Sequence, residues 1–203
     1  MFNETIWAMS ILIYSSIFGH RSTEAYAAIT VAKSIEDLTC VAVFGMCSAC
    51  AVMIGSYVGQ GKYDHAKACA RYHIAVVTVM SAIIGASLFV LKGPIMSLFG
   101  VSETVRADSM AVIMVYGAEM ALRNIPLMFV VGTFRAGGDT KYGLIVDSIT
   151  AYLIGIPLTA FVGLVLHMPV PFTYAVMYFV EDFVKTIIYG RHFLSGKWIR
   201  PVV

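Results

Sequence analysis

Residues 38–58, LTCVAVFGMCSACAVMIGSYV, form an apolar stretch that contains no charged side chain. A helix needs about 20 apolar residues to cross the hydrocarbon core of a bilayer, so this stretch predicts a transmembrane helix. Five further apolar runs lie at residues 5–19, 72–91, 109–134, 148–166 and 172–190. The sequence therefore predicts an all-α, polytopic membrane protein with six transmembrane helices.

The amino-acid composition supports this class. Hydrophobic residues make up 59% of the 203 residues and charged residues 13%, well below the fraction of about a quarter that is usual in soluble domains. The net charge is only +2, and most basic residues flank the apolar runs instead of forming one stripe. A nucleic-acid-binding surface is therefore not expected.

Lysine and arginine are concentrated in alternate connections between the runs. The connections after the second and fourth runs, together with the tail after the sixth, hold eight of them, against four in the other connections. By the positive-inside rule, this asymmetry predicts that both termini lie in the cytoplasm.

The four cysteines include a C-x-x-C spacing at Cys47 and Cys50. Three of the four lie in the second run, where cysteine behaves as a small hydrophobic residue, and no further Cys/His pair completes a tetrahedral ligand set. The spacing therefore predicts no metal site. The same run ends with Gly55-x-x-x-Gly59, a spacing that predicts the close approach of two helix backbones in lipid.

Polar connections mark where the helices begin. We expect Asp64 to cap the N-terminus of the third helix, and the pair Asp139-Thr140 to start the fifth after a Gly-Gly turn. Asp147 opens the fifth apolar run and is expected to stabilise a helix start. The first run is short because it lies between Glu4 and the expected loop Gly19-His20-Arg21. We therefore expect that the chain is a piece of a longer one.

Two of these connections carry family motifs. The sequence IGSYVGQG at 54–61, followed by Ala66 and Ala70, and FRAGGDT at 134–140 resemble the multidrug and toxic compound extrusion (MATE) family. Asn3-Glu4-x-x-Trp7 resembles the start of that family's seventh helix, and SGKWIR at 195–200 resembles its C-terminal tail. The resemblance spans essentially the whole chain.

This resemblance implies a secondary active antiporter that exports organic, often cationic, compounds in exchange for H⁺ or Na⁺. Members have twelve helices in two six-helix lobes around a central cleft, and residues 1–203 correspond to the C-terminal lobe alone. The implied surroundings are the lipid bilayer of the cell membrane and a second lobe, either a missing N-terminal half or a homodimer partner.

The resemblance also nominates site residues. Glu4 aligns with a family acid on the seventh helix that takes part in cation or proton binding. Asn124 stands near the position on the tenth helix where sodium-coupled members carry an acid, so its presence favours proton coupling through Glu4. The candidate cleft-lining residues are Asn3, Glu119, Arg123 and Asn124.

Other charges within the runs are expected to be structural. Glu119 and Arg123 are spaced i,i+4, as are Glu181 and Lys185, so each pair lies on one helix face and can form an ion pair. Burying such charges in a bilayer is costly unless they are paired or face a cavity.

Two alternative functions remain open. One is a related lipid-linked oligosaccharide flippase, for which basic residues within the spans would bind a pyrophosphate. The other is a truncated chain that folds but does not transport. Enzymatic activity is not expected, because neither H-E-x-x-H nor G-x-S-x-G occurs in the sequence.

Overall fold

The computed structural model describes residues 2–200, with the side chains of residues 5–200, and six helices account for most of them. They are α1 (Phe2–Arg21), α2 (Thr23–Gly59), α3 (Tyr63–Met96), α4 (Glu103–Phe134), α5 (Thr140–Val165) and α6 (Val170–Ser195). By length and composition, α2, α3, α4 and α5 can each cross a membrane. The predicted all-α, six-helix fold is confirmed.

Helix α2 is much longer than the apolar run that predicted it. It begins at Thr23, where the Ser22 hydroxyl accepts a hydrogen bond of 3.0 Å from the backbone N–H of Ala25. The loop expected at residues 19–21 is wrong, because α1 continues to Arg21. The additional turns of α2 carry Lys33 and Glu36 into the bundle, where both border a cavity.

Two of the three predicted helix starts are corrected. Asp64 lies inside the first turn of α3 and does not cap it, because the capping position belongs to Lys62. The start predicted at Asp139-Thr140 is confirmed, since α5 begins at Thr140 with Asp139 at the N-cap position, although the Asp139 side chain makes no capping hydrogen bond. Asp147 lies two turns inside α5, so its predicted role at a helix start is wrong. Its carboxylate instead accepts a hydrogen bond from Tyr189 on α6.

Wider helical turns interrupt α4 and α5. Residues Met128–Phe134 of α4, and Thr150–Gly155 and Phe161–Val165 of α5, form π-helical turns. Pro126 and Pro157 precede the first and the last of these segments, and a proline inside a helix removes a backbone donor. π-helical turns are frequent at functional sites, and here Val130 and Ala151 within them border the cavity.

The C-terminal tail folds back onto the turn between α4 and α5. The backbone N–H of Arg200 donates to the Gly137 carbonyl at 2.8 Å, and Trp198 is completely buried against Gly137. The buried Asp139 carboxylate binds His192 at 2.8 Å and the Arg200 guanidinium at 2.6 Å. The tail therefore fixes this end of the bundle.

Helices α3 and α4 approach each other closely at a glycine pair. A side chain at Gly85 would overlap the backbone of Gly117, and a Cβ at Gly117 would lie 2.8 Å from the Gly85 carbonyl oxygen. The predicted contact at Gly55 and Gly59 is wrong for this chain, because both are exposed and a Cβ at either would meet no atom within 4 Å among the described residues. Their helix face points away from the other helices.

We predict that Gly85→Ala lowers the stability of the chain by about 1–3 kcal/mol, because its methyl group would force apart two packed backbones. Gly55→Ala is the matched control and should leave stability equal or slightly higher, since alanine is the better helix former. Thermal unfolding in detergent micelles measures both. Equal unfolding temperatures for the two variants would contradict the close approach of α3 and α4.

Candidate functional site

A cavity of about 480 Å³ lies between α1, α2, α4, α5 and α6. Part of its wall is apolar or aromatic, formed by Trp7, Ile11, Phe44, Leu127, Val130, Met177 and Tyr178. This volume falls within the range of about 300–1,000 Å³ that is typical of small-molecule sites. The cavity can therefore hold a drug-sized molecule.

Charged side chains form the rest of the wall. Five are acidic and four are basic, namely Glu36, Asp37, Asp147, Glu181 and Asp182, with Lys33, Arg123, Arg135 and Lys185. Charged side chains inside an apolar helix bundle normally face a partner or a cavity. Most of them form two ionic clusters.

The first cluster is centred on Arg123 of α4. Its guanidinium makes a short ion pair with Glu36 of α2 and lies 3.5 Å from Glu119, one turn earlier on α4. It also lies 3.9 Å from the centre of the Tyr178 ring on α6, a cation–π contact. Lys33 binds the same Glu36 oxygen at 2.9 Å. The cluster thus joins α2, α4 and α6.

The second cluster is centred on Lys185 of α6. Its ammonium group lies 2.6 Å from Glu181 and 3.3 Å from Asp147 on α5. The Tyr14 hydroxyl of α1 donates to Glu181 at 2.6 Å, and the Tyr189 hydroxyl donates to Asp147 at 2.7 Å. One lysine therefore organises α1, α5 and α6 along the cavity.

Two carboxylate oxygens in this region lack a hydrogen-bond partner among the described residues. Asp182 Oδ2, at the cavity wall, and Glu119 Oε2, behind Arg123, are buried and accept no hydrogen bond from the residues that the structure describes. A buried carboxylate oxygen that accepts no hydrogen bond costs free energy. Protonation of the carboxyl group or a bound cation would reduce this cost.

The structure places the predicted site residues as follows. Arg123 and Asn124 border the cavity, and the Asn124 amide donates to Ser81 at 2.9 Å. Glu119 is buried behind Arg123 and does not border it. The side chains of Asn3 and Glu4 lie outside the described residues.

Both predicted i,i+4 ion pairs are present, since Glu119 binds Arg123 and Glu181 binds Lys185. Sequence reasoning missed Glu36, Asp147 and Asp182 as cavity residues. For Asp182, a usable signal was its position inside the sixth predicted span, because an acid within a span normally faces a cavity or a partner. Asp147 lies one residue before the fifth predicted span, so no such signal was present for it.

Comparisons with known proteins agree with this architecture. The family model MatE matches residues 1–161. The chain is 22% identical to the probable multidrug resistance protein NorM of Thermotoga maritima, over 98% of this chain and 42% of that protein. It is 26% identical to the human multidrug and toxin extrusion protein 2, over 80% of this chain and 26% of that protein.

Among solved structures, the MATE transporter ClbM in complex with Rb⁺ superposes with a TM-score of 0.87 at 18% identity. The superposition covers 98% of this chain and 46% of ClbM, and it shows a shared fold. This chain spans less than half the length of each of these three relatives.

We predict that Arg123→Gln destabilises the chain by about 3–5 kcal/mol, because it leaves Glu119 buried without its cation and leaves Glu36 with Lys33 alone. The double variant Glu119→Gln with Arg123→Gln should recover part of this loss, since it also removes the uncompensated charge of Glu119. Arg71→Gln, which changes an exposed arginine on α3, is the control. Unfolding in micelles gives the three values, and a double variant no more stable than Arg123→Gln would contradict the pairing.

Proposed function

The chain belongs to the MatE family, and we propose that it acts as one six-helix lobe of a secondary active antiporter. In this proposal the complete transporter exports organic, often cationic, compounds in exchange for H⁺ or Na⁺. Members of the family are transporters and not enzymes, and the related proteins carry multidrug names.

The observation that carries this proposal is the composition of the cavity wall. Aromatic and aliphatic side chains occupy one part, whereas acidic residues outnumber basic ones in the other. A lipophilic cation can bury its apolar body against residues such as Trp7 and place its charge near the carboxylates. A neutral or anionic solute would gain less from the same wall.

Glu4 is proposed as the residue that couples ion movement to export. It lies on α1 about one turn before Trp7, which borders the cavity. An acid at the cavity end of α1 can alternately hold a coupling ion and release it when an organic cation binds nearby. Proton coupling is favoured over Na⁺, because Asn124 cannot supply the second carboxylate of a two-acid sodium site.

A second lobe would form the opposite wall of the transport path. It is either the other half of a longer chain or a second copy of this one. We propose that the protein lies in the cell membrane with both ends of this lobe in the cytoplasm. In support, the tail turn at Gly196 packs beside Lys67, so basic connecting segments gather at one end of the bundle.

The alternative of a lipid-linked oligosaccharide flippase receives less support. Recognition of a pyrophosphate requires basic groups that are free to bind it. Arg123 already forms ion pairs with Glu36 and Glu119. Lys185 already forms ion pairs with Asp147 and Glu181. A chain that does not transport is the remaining alternative, and it is decided by the export assay below.

We predict that the α2–α3 connection is cytoplasmic and the α5–α6 connection external. Single cysteines introduced at Lys62 and Met168, in a chain lacking its four native cysteines, should react with an impermeant maleimide from opposite sides. Position 168 should be labelled in intact cells, and position 62 only in inverted vesicles. Labelling of position 168 from the cytoplasmic side alone would refute this orientation.

We predict that Glu4→Gln in the complete two-lobe transporter reduces gradient-driven export of a fluorescent cation to background while preserving the amount of folded protein. Glutamine keeps the shape of the side chain but cannot titrate or hold a coupling cation. Asp64→Asn, which alters a fully exposed acid near the α2–α3 turn, should export at the parental rate.

The assay is run in proteoliposomes with either a pH gradient or a Na⁺ gradient alone, which separates the two coupling ions. Export by Glu4→Gln at the parental rate, with unchanged pH dependence, would remove Glu4 from the coupling role. Failure of the parental two-lobe protein to export under either gradient would reject the antiport proposal.

A further inference from the structure

Three metal-ligating side chains meet outside the cavity, between α2 and α3. They are Cys50 on α2, with Cys69 and His73 one turn apart on α3, and all three are buried. Their donor atoms lie within 4.8 Å of one another. None of the three borders the cavity, so the cluster is independent of the proposed transport site.

The spacing of these atoms approaches that of a tetrahedral zinc site. Zn–S bonds of about 2.3 Å and Zn–N bonds of about 2.0 Å place neighbouring ligand atoms roughly 3.5–3.8 Å apart. The distance from Cys69 Sγ to His73 Nδ1 is 3.5 Å. An inward shift of about 1 Å or less by the Cys50 thiol therefore completes three corners of the tetrahedron.

We propose that Cys50, Cys69 and His73 bind one divalent thiophilic metal ion, Zn²⁺, that ties α2 to α3. Two thiolates and a neutral imidazole cancel the charge of Zn²⁺, which suits a site in an apolar bundle where net charge is costly. A Cu⁺ ion with the same ligands would leave one negative charge. Mg²⁺ and Ca²⁺ prefer oxygen ligands.

Binding involves no electron transfer. The two thiols lose their protons to solvent as the two Zn–S bonds form. His73 Nδ1 now lies 2.9 Å from the Cys69 carbonyl oxygen, a contact in which Nδ1 carries the ring proton. As the Zn–N bond forms, this proton is exchanged through solvent to Nε2, so that the imidazole stays neutral. A water molecule can take the fourth position, as in other sites with three protein ligands.

The position of the cluster gives the ion a short route from the α2–α3 end of the bundle. Cys69 lies six residues after the first residue of α3 and Cys50 nine residues before the last of α2. At about 1.5 Å per residue, the site is roughly 9–14 Å from that end. Cys47 is excluded from the cluster, because its thiol contacts Met128 on α4 at 3.5 Å.

The test uses the purified, untagged full chain in detergent micelles, kept reduced with a phosphine and stripped of metal with a chelator. Co²⁺ is the spectroscopic probe, because thiolate ligation produces an intense charge-transfer absorption in the near ultraviolet. We expect this absorption to saturate at one Co²⁺ per chain and to disappear when Zn²⁺ is added.

Variants identify the ligands. Cys50→Ala and Cys69→Ala should abolish the charge-transfer absorption, and His73→Gln should weaken binding by at least about tenfold. Cys47→Ala, the same substitution at a buried cysteine on α2, should bind Co²⁺ like the parent. Zn²⁺ should raise the unfolding temperature of the parent and of Cys47→Ala, and it should leave that of Cys69→Ala unchanged.

X-ray absorption of the zinc-loaded parent keeps the test decisive where a variant fails to fold. We expect two sulfur neighbours at about 2.3 Å and one or more nitrogen or oxygen neighbours at about 2.0 Å. The proposal is overturned if the folded parent shows no thiolate charge-transfer absorption. It is also overturned if the bound zinc has only oxygen and nitrogen ligands, or if the absorption survives in both Cys50→Ala and Cys69→Ala.

Discussion

Arg123 imposes the main constraint on this bundle, because its guanidinium stays charged at any physiological pH and is buried among apolar helices. The chain surrounds it with Glu36 from α2, Glu119 from α4 and the ring of Tyr178 from α6. These partners fix where three helices lie relative to one another. Glu36 lies only two residues before the uncharged part of α2, so a short extension of that part brings its carboxylate to Arg123.

The walls of the cavity are consequently held together by ionic contacts as well as by apolar packing. Contacts centred on Lys185 connect α1, α5 and α6, in the same way that contacts centred on Arg123 connect α2, α4 and α6. Ionic contacts of this kind can exchange partners when a proton or a cationic solute arrives, whereas a close-packed apolar interface cannot adjust without losing contacts. A cavity bordered by two such clusters is therefore able to change its ionic bonding as its contents change.

The sequence predicted what depends on local pattern. Hydropathy located six helices, and i,i+4 spacing identified both intrahelical ion pairs, because these features are determined within a few turns of one helix. Contacts between distant helices were not predictable in this way. Nothing near Glu36 indicates that its partner is Arg123, and Cys50 shows no relation to Cys69 until α2 and α3 pack side by side. The Gly55-x-x-x-Gly59 spacing predicted a contact between helices, but spacing alone does not determine which face of α2 packs against another helix.

The docking of residues 196–200 on the turn between α4 and α5 has a consequence for biosynthesis. This segment leaves the ribosome after all six helices, and His192 precedes it by only a few residues. Until then Asp139 has neither of its two side-chain partners, His192 and Arg200, and Gly137 is not covered by Trp198. The turn can therefore stay hydrated while α5 and α6 enter the membrane. Residues 196–200 pack against it only after the tail has been translated.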